Sequence, residues 1–237
     1  MRLNKYLANL GIASRRAVVG NIKNGDVEVN GLVVTAPGAE VDPQRDQILF
    51  KGKRIEQPKL TYFMLNKPVG VVSTVSDELG RKTVTTLIKN KQRLYPIGRL
   101  DQDTSGLIIL TNDGELTNKL THPKFHTPKT YQLLVQGQPS GLMLQKLANG
   151  VKLKEGITAK AKIKVLKNLA HASVLEITLF EGKNRQIRRM CGVVGTQLLK
   201  LKRIAIGDLQ LGDLKEGGYR ELSSREVEQL KNSLDKI

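Results

Sequence analysis

Beyond Leu60 the chain carries strand-like and helix-like runs in an order with no β-α-β repeat, and this constrains the fold more than any other feature. Runs at 62–65, 70–73, 94–97, 107–111, 130–135, 163–166 and 173–179 read as strands. Helical candidates are 84–89, 116–120, 142–147 and 185–194. Ser223, followed three residues later by Glu226 and then by Val227 and Leu230, is a capping box that opens a last helix. The expected class is α+β, with a mixed, mainly antiparallel sheet flanked by helices rather than a doubly wound parallel one.

The first 50 residues form a separate reading unit. Leu3, Tyr6, Leu7 and Leu10 recur at helical spacing, Gly11 stops that helix, and Ser14 caps a second one that runs toward Ile22 and ends near Gly25. Val27, Val29 and Asn30-Gly31 then give a strand and a tight hairpin into Leu32 to Val34. Arg2, Lys5, Arg15, Arg16 and Lys23 fall on the outer faces of the helices and make a compact basic wedge. Residues 51–59, polar and charged with Gly52 and Pro58, have linker composition. The expected organisation is a small domain at 1–50, a linker at 51–59 and a larger domain at 60–237.

The 237 residues include 39 Lys and Arg against 22 Asp and Glu, a formal net charge of +17. Such a field attracts polyanions and makes their binding salt-dependent; alone, it also suits a solvated basic face or a protein drawn to anionic lipid. No run of apolar residues is long enough to span a membrane, and Met1-Arg2-Leu3-Asn4-Lys5 leads into a polar amphipathic run rather than an apolar signal core. Cys191 is the only cysteine, which excludes an internal disulfide and suits a reducing cytoplasm. Aromatics are 4% of the chain, with no Trp, which argues against a broad base-stacking platform.

Gly98-Arg99-Leu100-Asp101-Gln102-Asp103-Thr104-Ser105-Gly106-Leu107 places an aspartate on a Gly-bracketed turn between two apolar runs, where it can face a cleft. Bare, this is a hairpin turn whose aspartate accepts backbone N–H bonds. Asp101-x-Asp103 can also hold magnesium in another fold, as in a metal-dependent RNA hydrolase, but the signal is weak without further converging ligands. His122 and His126 are four apart, yet Pro123 and Pro128 break the helix that would bring them together on zinc, so no metal site is expected. No phosphate-loop, dinucleotide or nucleophile-elbow signature occurs.

The 98–107 run is similar to the catalytic signature of the RsuA/RluB-like RNA pseudouridine synthases, which modify ribosomal RNA. Tyr62-Phe63-Met64-Leu65-Asn66-Lys67-Pro68-Val69-Gly70 resembles that family's strand-then-turn motif, Lys129-Thr130-Tyr131 its tyrosine motif, and the run from Glu181 to Met190 its basic motif. The four occur in the family's order, and the first 50 residues resemble an alpha-L RNA-binding domain in front of them. One departure is visible: many such domains have acidic residues where this chain has Val18 and Val19, and Ala17 cannot complete a capping box with Ser14.

The resemblance implies that Asp101 is a nucleophile, that Arg188 pairs with it and that Tyr131 stacks on the target base with Ile187 packed near the ring. It implies that Lys183, Arg185 and Arg189 meet phosphates and that Arg99 fills the space left by a flipped base. From the residues alone, 185–194 is also an amphipathic helix with a charged face, and Tyr131 a half-buried strand tyrosine. The expectation is a cytoplasmic, monomeric pseudouridine synthase that acts on ribosomal RNA without cofactor, metal or membrane. The alternative is a non-catalytic RNA-binding or ribosome-assembly factor that keeps the fold.

Overall fold

The computed structural model describes residues 1–232, and the chain divides into two compact units. The first comprises Met1–Thr61 with Asn90–Arg93 and Asn112–Gly114; the second comprises Tyr62–Lys89, Leu94–Thr111 and the chain from Glu115 onward.

In the first unit, α1 (Leu3–Asn9) and α2 (Arg15–Lys23) bury Leu3, Leu7, Val18 and Ile22 against Val27, Val41 and Ile48. The i, i+4 spacing of each helical pair puts both residues on one face. Val18 therefore serves the core, where an acidic residue would lose hydration. Ser14 Oγ accepts from Ala17 N at 3.1 Å, and Ala17 returns no bond, so the cap is half a box. β1 (Val27–Val29) and β2 (Leu32–Val33) join through Asn30-Gly31, both at positive φ (52° and 80°), as a two-residue hairpin requires. β3 (Ile48–Phe50) and β4 (Lys53–Arg54) complete a sheet of order β2-β1-β3-β4, so the sheet reaches into the segment with linker composition. Arg2, Lys5, Arg15, Arg16 and Lys23 are exposed, and no acidic side chain of the described residues pairs with them within 4.0 Å.

The second unit is built on β5 (Tyr62–Lys67), β6 (Tyr95–Pro96), β7 (Ser105–Thr111), β8 (Lys129–Gln136), β9 (Lys152–Leu153), β10 (Gly156–Ile157), β11 (Lys162–Asn168), β12 (Ala172–Leu179), β13 (Leu198–Ile206), β14 (Leu209–Gln210) and β15 (Tyr219–Glu221). Its main sheet runs β11-β12-β8-β13-β7-β5-β15, with β14 beside β13, β6 beside β7, and β9 and β10 forming a separate hairpin. Every strand pair in it is antiparallel except β13 with β7, where Lys202 stands opposite Ser105 and Arg203 opposite Gly106. The fold is therefore α+β with a mixed, mainly antiparallel sheet.

β7 is buried along its whole length. Leu107 and Ile109 face one core with Leu116 and Leu120 of α3 (Gly114–Thr121), and Ile108 and Leu110 face another with Val84 and Leu100. A third core joins β8, β12 and β13 to α4 (Gly141–Asn149) and α5 (Gln186–Val193) through Leu133, Leu175, Leu147, Ile187 and Leu201. The last helix, α6 (Ser224–Asn232), starts on the expected box: Glu226 N donates to Ser223 Oγ, and Ser223 N to Glu226 Oε2 at 2.9 Å.

Two readings of the sequence are corrected. Residues 70–73 form no strand; Val72 makes an isolated bridge to Thr83, and the segment is a loop whose polar groups are used elsewhere. The helix expected at 84–89 is a short 3₁₀ turn, Val84–Leu87. Strand β13 is an addition, and its ladder to β8 shifts register between Leu198 and Lys200 and again between Arg203 and Ala205.

Candidate active site

The turn that carries Asp101 is braced from beneath by the loop that follows β5. Ser73 Oγ donates to Leu100 O (2.9 Å) and accepts from Leu100 N (3.1 Å), and Gly70 N donates to Gln102 O (2.8 Å) while Gln102 Nε2 returns a bond to Gly70 O (3.1 Å). Lys67, fully buried, donates to Val71 O (2.7 Å), Pro68 O (2.9 Å) and Gln102 O (3.5 Å). Burial brings the Lys67 ammonium down to about 8, and the carboxylates of Asp103, Asp101 and Glu216 oppose that shift. With Gly70 and Val71 so used and the Val72 backbone bonded to Lys82 and Val84, 70–73 does not extend as a strand.

Asp101 stands at the wall of a cavity of about 400 Å³ that is also lined by Arg99, Tyr131, Ile187, Arg185 and Arg188. Its side chain keeps 31% of its exposure, so the carboxylate reaches solvent. Tyr131 projects from β8, in register with Ile177 of β12 and Arg203 of β13, and packs against the apolar clusters on both sides. Ile187, 4% exposed, anchors α5 in the core and closes the cavity floor.

The arginines divide differently from expectation. Arg188 does not pair with Asp101: its Nη2 donates to Asp103 O at 2.8 Å and lies 3.2 Å from Asp103 Oδ1 and 3.4 Å from Thr104 Oγ1. Arg185 is the cation beside Asp101, at 3.8 Å, and it grips Asp103 with two bonds of 3.0 and 3.3 Å. Arg185 occupies the N-cap of α5 in the left-handed region (φ 47°), which helical spacing does not anticipate. Burial pushes the Asp103 carboxyl up, but the Arg185 hydrogen bonds and the charges of Arg188 and Arg185 outweigh it and leave the group below the usual range. Guanidinium donors thus take up both Asp103 oxygens, and Asp101 is the freer carboxylate.

Arg189 is held by Glu155 at 2.7 and 2.8 Å, and Lys183 donates to Ile157 O at 3.1 Å and pairs with Glu181. Arg99 is exposed at the rim. Lys67 and Ser73 were missed as site residues; the signal was present in Lys67-Pro68, at the end of a motif read only as a strand and turn.

A family model described as RNA pseudouridylate synthase matches residues 61–192, more than half of the chain, and one described as S4 domain matches residues 1–48. The chain is 48% identical over 237 residues to "Ribosomal large subunit pseudouridine synthase B" of Bacillus subtilis (strain 168), covering 99% of this chain and 97% of that protein. It is 40% identical to "Uncharacterized RNA pseudouridine synthase" of Aquifex aeolicus (strain VF5), covering 97% and 93% respectively. A crystal structure of a pseudouridylate synthase superposes with a TM-score of 0.71 at 31% identity, covering 97% of this chain and 99% of the other.

Proposed function

Because the chain belongs to the RNA pseudouridylate synthase family, we propose that it converts specific uridines of ribosomal RNA to pseudouridine with Asp101 as nucleophile. The reaction replaces the bond between ribose C1′ and base N1 by one between C1′ and C5; one proton leaves C5 and one is taken up at N1. The atoms balance without a redox step or net hydrolysis. A carboxylate that attacks the pyrimidine ring or the sugar carbon splits this change into two easier steps.

One observation carries the reading: a solvent-reaching aspartate, a tyrosine ring and three arginines line one cavity. Tyr131 offers a face on which the flipped base stacks, and Ile187 limits its tilt. Arg185 sets a guanidinium 3.8 Å from the Asp101 carboxylate, and Arg188 holds the turn through the Asp103 carbonyl. Arg99, which lines the rim of this cavity, enters the space that the base vacates. Lys183 and Arg189, now held by Glu181 and Glu155, exchange those partners for phosphates when RNA arrives. The exposed Arg2, Lys5, Arg15, Arg16 and Lys23 dock the RNA through the S4 domain. The enzyme acts as a monomer in the cytoplasm, a placement supported by the single, buried Cys191.

The test is to map pseudouridines in ribosomal RNA from cells that lack the protein, complemented with wild type or Asp101→Asn. One missing site should return with wild type alone. Equal restoration by both would reject the nucleophile, and no missing site in either ribosomal RNA would favour a non-catalytic binder.

A further inference from the structure

Tyr131 lines a second cavity of about 400 Å³, contiguous with the first through Gly98, Arg99, Gly182 and Lys183. Arg99, Lys129, Lys183 and Arg203 line it against one carboxylate, that of Glu181. Glu181 is already committed, accepting from Ala159 N at 2.9 Å and Gln186 Nε2 at 2.6 Å and pairing with Lys183 at 3.4 Å. Among the described residues, the remaining cations have no counterion within 4.0 Å. Arg203, 4% exposed, uses Nε to hold Leu107 O at 2.7 Å and leaves Nη2 with no acceptor. Lys129 is half-buried on the same face of β8 as Tyr131, and no described residue forms a hydrogen bond or ion pair with its ammonium. Burial, and then the charge of Arg203, brings that ammonium down to about 8.

Desolvated cations without a counterion destabilise a fold, and a pair kept at the wall of a polar cavity implies an anion that arrives from outside. Resting on the reading of Asp101 given above, we propose that Lys129 and Arg203 hold a backbone phosphate of the nucleotide flanking the target uridine. The shared wall at Arg99 and Tyr131 places that phosphate next to the nucleoside that Asp101 attacks, so the subsite fixes the direction in which the strand runs past the nucleophile.

The probe is an RNA stem-loop carrying the mapped uridine, with an uncharged methylphosphonate at each flanking phosphate in turn. Single-turnover rates and half-saturating RNA concentrations are measured for wild type, Lys129→Met, Lys129→Gln and Lys129→Arg. One methylphosphonate should raise the wild-type half-saturating concentration about tenfold or more, as loss of a charge-assisted hydrogen bond does. Met and Gln at 129 should raise it equally on native RNA, with the saturating rate held within about twofold. The modified RNA should cost these variants nothing more, and Arg should restore the wild-type value. Additive penalties, no sensitive phosphate, a loss confined to the saturating rate, or failure of both neutral variants to fold would overturn the subsite. If wild type forms no pseudouridine in this RNA, the reading of Asp101 falls and the subsite with it; if it does and the penalties add, only the subsite falls.

Discussion

Gly106→Ala tests whether the site depends on the seam between β7 and β13. Gly106 has φ +109°, and a methyl there would lie 2.2 Å from Arg203 O, 2.6 Å from its N and 2.9 Å from its C. These atoms are backbone, so β13 must retreat by about 1 Å to reach ordinary contact near 3.5 Å. The parallel seam consists of two registered pairs, Lys202 with Ser105 and Arg203 with Gly106, and Asp101 and Tyr131 stand on opposite sides of it. Overpacking costs about 1–3 kcal/mol and the left-handed backbone about 1–2, together roughly 2–5 kcal/mol. For a chain of this size that lowers the midpoint by about 4–20 °C. Gly137→Ala is the control, since Gly137 shares a positive φ (+71°) but has nothing within 4 Å of its added methyl, so only the backbone cost remains. Thermal melts followed by circular dichroism give the stability, and tritium release from C5-labelled uridine in RNA gives turnover. Gly106→Ala should melt below Gly137→Ala and lose turnover at temperatures where it is folded. The reasoning fails if the two variants melt together, or if Gly106→Ala melts low yet keeps wild-type turnover.

Ser73→Ala leaves both polar groups of Leu100 unpaired in a buried place, so about 1–3 kcal/mol of stability and part of the turnover should be lost; wild-type values of both would show that the loop does not hold the turn. Arg185→Met removes the cation 3.8 Å from Asp101 and that arginine's two hydrogen bonds to Asp103, and single-turnover rates should fall by about tenfold or more while the fold is kept; an unchanged rate would dismiss Arg185 as partner of Asp101. Hydrogen bonds from Arg220 hold the Glu226 carboxyl at about 2, below its ordinary 4.5, so the stability it contributes is complete above pH 4.5 and is lost as pH falls through about 2. Glu226→Gln should therefore melt below wild type at neutral pH, with the gap closing toward pH 2; a gap independent of pH would contradict the assignment.

What the sequence made legible was local chemistry. The Ser14 cap, the Asn30-Gly31 hairpin and the Ser223–Glu226 box each rest on side chains that act within a few residues, and all three formed. β13 was not legible, because two register shifts break the alternation that marks a strand, although it is the strand that joins the two halves of the sheet. Residues 70–73 have strand composition, but Gly70 bonds Gln102, Ser73 Oγ bonds Leu100 and the Val72 backbone bonds Lys82 and Val84, demands that come from other parts of the chain. Gly106 reads as a turn glycine, yet the nearest obstacle to a side chain there is the Arg203 backbone, 97 positions away. The basic motif located four candidate cations, but which guanidinium reaches which carboxylate depends on the φ of 47° at Arg185, a conformation that an arginine does not advertise.

Two buried cations of the catalytic unit, Lys67 and Arg203, share a logic that composition alone hides. Lys67 donates to Gln102 O, just after Asp101, and Arg203 donates to Leu107 O, where the chain leaves the turn for β7. Both are therefore tied to backbone on either side of Asp101 rather than neutralised by a partner carboxylate, and the Lys67 charge is felt through space by Asp101 and Asp103. An aspartate that must approach a phosphate backbone meets repulsion, which exposed lysines offset only weakly because salt and water screen them. Charges held below the surface are screened less, so positive potential at this turn survives conditions that weaken RNA docking elsewhere. Binding and chemistry should accordingly separate with salt: raising ionic strength should raise the half-saturating RNA concentration steeply while the saturating rate stays nearly flat. A saturating rate that falls in parallel would mean that exposed charges, not Lys67 and Arg203, sustain the site.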